Sequence, residues 1–273
     1  MNTQRGFRLL VLASALALLA LFQMAPGGAA DANIPESAIS AVLVKSWDKC
    51  PPSGETLWDE LNSRWSDYGT TPIAIDVNHP QLCVGPITYA DLVSSGADVV
   101  ILSDPAGHPH QYSPDEIAAL QQYAQDGHRL IGTYLLLQST GIDNRGLAPL
   151  FGLPASATYV MIALPSSTYT LLKPSHPLFA GMADPYISAG FAYSQAPADN
   201  SWAADDLNGA VILAQTADSG AVVLVYNAPT YGAIYITSMP EYEGNTEDER
   251  FLYNALTAPL PESYHVFLPI VIR

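Results

Sequence analysis

Cysteine, basic residues and long apolar runs are all scarce in this sequence. Only two cysteines occur, Cys50 and Cys83, and neither belongs to a Cys-x-x-Cys pair. That argues against a zinc knuckle or a dithiol redox motif. Lysine and arginine together number 10 against 26 aspartates and glutamates, a net charge of −16. Such a surface repels phosphate backbones and anionic membranes, which speaks against nucleic acid as a partner. Beyond residue 30 no stretch is apolar for the roughly 20 residues a spanning helix needs, so no membrane span is expected in the mature chain. Gly-x-Ser-x-Gly, His-Glu-x-x-His, Gly-x-Gly-x-x-Gly and Gly-x-x-x-x-Gly-Lys are all missing. Serine-hydrolase, zinc-protease, dinucleotide and P-loop chemistries therefore have no support.

What is present begins with a targeting pattern. Arg5 and Arg8 precede an apolar run, Leu9 to Phe22, and the small residues Gly27-Gly28-Ala29-Ala30 follow. Residues 1–30 read as a signal peptide cleaved after Ala30, with an uncleaved anchor as the alternative. The protein is then expected to be secreted or extracytoplasmic, at the cell surface or released. Removing 30 of 273 residues leaves 243, which suits one large domain, 31–260, followed by a short tail, 261–273. The lost segment carries two arginines and no acid, which takes the net charge from −16 to −18. In an oxidising compartment Cys50 and Cys83 are expected to form a disulfide worth about 3–4 kcal/mol in the chain-entropy model; free thiols are the alternative.

Apolar strand-like runs alternate with amphipathic runs through the first half. Ala41–Val44, Pro72–Val77, Asp98–Leu102 and Arg129–Leu136 read as buried strands. Leu57, Leu61 and Trp65 recur at helical spacing, and Thr88–Ser95 reads as a short helix. Ser113-Pro114-Asp115-Glu116 is a capping box with proline at the first helical position, and Gly127 ends that helix. This alternation predicts an α/β fold with a mainly parallel sheet covered on both faces. In the second half Tyr159–Leu164, Phe191–Ser194, Ala210–Thr216 and Ala221–Tyr226 read as strands joined by short turns, Asp218-Ser219-Gly220 among them, so extra antiparallel strands are expected there. Gly232–Thr237 returns to a buried strand. Thr246-Glu247-Asp248-Glu249 opens a last helix with Phe251, Leu252 and Leu256 inward. The tail Tyr264–Arg273 is apolar and β-prone, and it either docks as an edge strand or serves a partner.

Three segments, each after a predicted strand, carry a family resemblance. The first reads Gly132-Thr133-Tyr134-Leu135-Leu136-Leu137-Gln138, the second Met239-Pro240-Glu241, the third Ser103-Asp104-Pro105-Ala106-Gly107. They resemble, in the same order, the nucleophile turn, the His-Pro-Glu segment and the oxyanion loop of the class I glutamine amidotransferase superfamily. The phrase His176-Pro177-Leu178-Phe179-Ala180-Gly181-Met182 is similar to its ThuA-like branch. The resemblance implies a flavodoxin-like three-layer sandwich and a site where these segments meet. It also implies a link to carbohydrate.

The departures are chemical. The nucleophile position holds Tyr134, whose hydroxyl ionises only near pH 10, and the base position holds Met239, which carries no proton. Pro105 has no N–H to offer an oxyanion. Amide hydrolysis by the family route is therefore expected to be lost. Candidate ligand-binding residues are Tyr134, Glu241, Asp104, His108 and Gln138, with Tyr134 filling the vacated space as the competing reading. No metal and no cofactor are expected. Three functions remain open. One is a non-catalytic domain binding a small molecule, a glycan or a partner at the degenerate site. The second is a hydrolase or isomerase with another constellation there, and the third a structural envelope protein.

Overall fold

The computed structural model describes residues 38–45, 57–102, 110–190, 193–203, 207–242 and 244–259. Residues 1–30, Cys50, Trp47, the segment with Asp104 and His108, and the tail 261–273 lie outside the described residues.

A nine-stranded sheet organises the domain. Its first half is parallel: β1 (Ile39–Leu43) pairs with β2 (Ile73–Asp76) on one side and β3 (Val99–Leu102) on the other. Next come β4 (Arg129–Thr133) and then β13 (Gly232–Ile236). Its second half is antiparallel. β12 (Val222–Asn227), β11 (Val211–Thr216), β8 (Thr168–Leu171) and β9 (Tyr186–Ile187) follow β13 in that order. Two small ribbons lie apart from it, β5 (Gln138–Ser139) with β6 (Ile142–Asp143), and β7 (Tyr159–Ala163) with β10 (Tyr193–Pro197).

Successive strand residues point to opposite faces, and here both faces are apolar. Ala41, Leu43, Val99, Ile101, Ile131, Ile234 and Ile236 enter one core. Helix α1 (Leu57–Arg64) adds Trp58 and Leu61 to it, and α5 (Thr246–Thr257) adds Phe251, Leu252 and Leu256. Val42, Val100, Leu102, Leu130, Ala233 and Tyr235 enter a second core with Leu82 of α2 (Pro80–Val84) and Leu92 of α3 (Tyr89–Ser95). Leu120 and Tyr123 of α4 (Pro114–Gln125) complete it. Each fully buried leucine or isoleucine contributes about 1.5–3 kcal/mol, so the sheet is held from both sides.

The helix ends follow the sequence closely. Ser113 caps α4, its hydroxyl accepting from the Glu116 N–H while the Glu116 carboxylate accepts from the Ser113 N–H. The last capping box sits one residue earlier than expected. Asn245 is the cap of α5 and Asp248, not Glu249, reaches back, because an asparagine oxygen spans the two N–H groups of Glu247 and Asp248. The fourth strand is also shorter than its apolar run. It stops at Thr133, where the chain turns left-handed at Tyr134 and winds through a 3-10 turn over Tyr134–Leu136. Trp58 is fully buried and Trp202 nearly so, as core packing requires. Trp65 lies half-buried in a 3-10 turn just beyond α1.

Candidate functional site

The two resembling segments lie side by side because their strands pair. β4 and β13 run parallel with Gly132 opposite Tyr235 and Thr133 opposite Ile236, so the turn at Tyr134 and the segment Thr237–Glu241 leave the sheet together. Gly132 has a steric reason: a Cβ there would lie 2.7 Å from the Phe151 ring and 2.8 Å from Leu136. Tyr134 has φ of 48°, a strained conformation for a bulky residue and one that throws the side chain outward from the strand.

The outward space is filled. Tyr134 and Met239 are each 2% exposed and pack together with Leu135, with Tyr193 and Tyr242 against them. The β7–β10 ribbon supplies the cover. Met161 of β7 stands opposite Gln195 of β10, and its sulfur accepts the Tyr134 hydroxyl at 3.3 Å. Beneath, the Tyr235 hydroxyl sits between the Tyr134 carbonyl oxygen (2.7 Å) and the Gln195 side-chain oxygen. That oxygen also accepts the Leu137 N–H at 3.0 Å, while the Gln195 amide nitrogen donates to the Gln138 carbonyl at 2.6 Å. Burial raises the Tyr235 hydroxyl pKa well above its ordinary value, so it stays a neutral donor.

Glu241 is fully buried, and its Oε1 accepts the Thr133 hydroxyl. Its backbone carbonyl accepts the Leu57 N–H at 2.9 Å, which ties the segment to the start of α1. Gln138 serves the ribbon: its side-chain oxygen accepts the Tyr159 N–H at 2.8 Å. His176 caps a 3-10 turn, its Nδ1 accepting from the Leu178 N–H at 3.2 Å. At the start of α5, Asp248 is buried under the Tyr186 hydroxyl and the Ala189 N–H, and burial raises its pKa. No cluster of three or more metal-capable side chains occurs among the described residues.

Sequence reasoning named Tyr134, Met239 and Glu241 but not Thr133, Met161, Gln195 and Tyr235, which lie around them. Thr133 and Tyr235 occupy the two predicted strands, and their register was the signal that could have found them. Met161 and Gln195 come from a ribbon whose placement no local pattern announces.

No protein-family model matches the chain, and no curated protein matches it. Among solved structures, a cytoplasmic protein from Salmonella typhimurium is similar at 10% identity and a TM-score of 0.51, over 80% of this chain and 97% of that one. A ThuA-like protein from Bacteroides uniformis is similar at 12% identity and a TM-score of 0.45, over 85% of this chain and 93% of that one. A β-galactosidase from Rahnella is similar at 16% identity and a TM-score of 0.45; the match covers 80% of this chain and 30% of the enzyme's length. At such identities the likeness to the Salmonella protein is one of fold.

Proposed function

We propose that this protein is an exported, non-catalytic, amidotransferase-like domain whose degenerate active site has become part of its own core, and that it acts by binding rather than by turnover. The observation that carries this reading is the joint burial of Tyr134 and Met239 in one cluster, with Glu241 engaged by Thr133. A flavodoxin-like layering fits the parallel strand order β2-β1-β3-β4-β13 and the two apolar faces. The left-handed turn at Tyr134 is the backbone a nucleophile elbow would need, kept without the nucleophile.

Export rests on the N-terminal pattern, and the Cys50–Cys83 bridge belongs to the same proposal. Cys83 is 3% exposed, so a bridge there would be shielded from reductant. Intact mass of the secreted protein tests both. A chain beginning at Asp31 and gaining two hydrogens on denaturing reduction is expected. A retained leader or an unchanged mass would remove them.

The functional reading is tested by assaying amide and ester hydrolysis with wild type and Glu241→Gln. No turnover above the buffer rate in either protein is expected. Turnover by wild type that Glu241→Gln abolishes would overturn the non-catalytic reading and favour a replaced constellation.

A further inference from the structure

A second place in the fold is better furnished for a ligand than the closed site. The start of α4 and the segment from β6 to Ala155 come, in chain order, after the adjacent parallel strands β3 and β4, and the carboxyl end of an α/β sheet is where ligands ordinarily bind. Between these two segments lies an open groove of about 370 Å³. Its apolar side is formed by Pro114, Ile117 and Ala155, and its polar side by Gln111, Asp143 and Arg145. A Cβ at Gly146, also in the lining, would lie 2.8 Å from the Ile117 Cδ1, so a side chain there would push the tip of Ile117 aside.

The polar side is held in place rather than left to solvent. Arg145 grips Asp143 through three bonds, its backbone N–H and Nε to Oδ1 at 3.2 and 2.8 Å and Nη2 to Oδ2 at 2.7 Å. Gln111 bonds the Asp143 backbone in both directions, accepting its N–H at 3.0 Å and donating to its carbonyl at 2.7 Å. Behind them Asn144 is fully buried and fully used. It accepts from the Tyr112 N–H at 2.8 Å and the Gln111 amide at 3.2 Å, and donates to the carbonyls of His110 and Leu136 at 2.7 and 3.1 Å. Below, Glu116 accepts from the Ser113 and Ile87 N–H groups and from Lys45, whose ammonium lies 5.3 Å from the Tyr112 ring centre. The buried Asn144 amide thus ties Gln111 and Tyr112 to the segment at Asp143, and the buried ion pair anchors the start of α4 to the end of β1, the kind of support a preorganised binding wall requires.

The chemistry of that wall selects a ligand class. Asp143 and Arg145 cancel in charge, on a chain whose net charge is −16. An anion gains nothing from the paired guanidinium and is repelled by the rest of the surface. The Asp143 side chain is 54% exposed and that of Arg145 31%, so both keep sites open beyond their mutual bonds. An exposed acceptor next to exposed donors suits vicinal hydroxyls, each of which donates and accepts. The facing Pro114, Ile117 and Ala155 suit the C–H face of a ring. We propose that this groove binds a neutral, polyhydroxylated small molecule about the size of one sugar ring. The proposal does not depend on the amidotransferase reading, because none of its residues belongs to the degenerate site.

The test is amide chemical-shift mapping of the full chain by NMR. Glucose, galactose, mannose and sorbitol are added singly at millimolar concentrations, with glucuronate as the anionic comparison. Shifts confined to residues 111–117 and 143–155 with at least one neutral probe are expected, with glucuronate weaker. Asp143→Ala and Arg145→Met are expected to weaken binding about tenfold or more. Should either variant fail to fold, Ile117→Trp blocks the groove from its apolar side and should abolish the shifts. Tyr134→Phe should leave them unchanged. No shifts with any neutral probe, shifts centred on Tyr134 and Glu241, or tighter binding of glucuronate would each overturn the proposal. Hydrolysis at the degenerate site would leave it standing.

Discussion

Tyr134 combines a strained backbone with a fully packed side chain. Its backbone is held at φ of 48°, at a cost of roughly 1–3 kcal/mol that the surrounding contacts must offset. The ring offsets it by filling the space against Met239 and Leu135. Tyr134→Ala is therefore expected to lose about 3–5 kcal/mol in urea unfolding, while Tyr134→Phe, which loses only the hydroxyl bonds, should cost less than about 1.5 kcal/mol. Equal and small losses for both would mean the ring does not support the fold. The identities at this site were legible because the motif frame counts along the chain. The partners were not: Thr133 and Glu241 are 108 positions apart, and Tyr134 and Met161 are 27. A second residue-level expectation concerns Glu116. Burial pushes its pKa up, but Lys45 and the N–H groups of Ser113 and Ile87 outweigh burial and hold it below the ordinary value. A carboxylate held low in the folded state contributes stability that is complete above its unfolded pKa and is lost as pH falls through the folded one. Stability should thus decline below about pH 4.5, and Glu116→Gln should flatten that part of the urea-midpoint profile. An unchanged profile would contradict the pairing.

At the scale of elements, the ends of helices and strands carry the account. Arg129, largely buried at the start of β4, donates to the carbonyls of Ala255, Leu256 and Ala258 at 2.8, 2.5 and 2.7 Å, closing the C-terminus of α5. Desolvation lowers its pKa to about 10, so it remains charged at neutral pH. Arg129→Lys keeps the charge but loses the fork, and should cost about 1–3 kcal/mol and release amide protection in the last turn of α5. Protection equal to wild type would mean that the helix end is held by other contacts. Capped helices and long buried strands were readable because their signals are local. The end of β4 was not, since the apolar run continues through Leu137 while the backbone has already turned. β5, β6, β8 and β9 also escaped the sequence. Three of them have two residues each and show no usable period, and β8, four residues long, alternates Thr-Tyr-Thr-Leu with Tyr169 and Leu171 inward, a run too short to stand out.

For the whole molecule, the alternation of strands and helices foretold a parallel sheet with two apolar faces, and that sheet is present. The order of its antiparallel half follows from tertiary pairing between segments far apart in sequence. The chain leaves β4 and makes the β7–β10 ribbon and β8 to β12 before it returns as β13, and in that excursion it lays Met161 of the ribbon against Tyr134. Hydroxyl-radical footprinting of the native protein, read by mass spectrometry, tests whether Tyr134 and Met239 are closed to solvent. Met161 is 56% exposed and serves as the internal standard, against Met239 and Tyr134 at 2% each. The account predicts rapid oxidation at Met161 and protection of Met239 and Tyr134 until the protein is unfolded. Oxidation of Met239 and Tyr134 at a rate comparable to Met161 in the folded protein would contradict it and mean an open pocket around Tyr134.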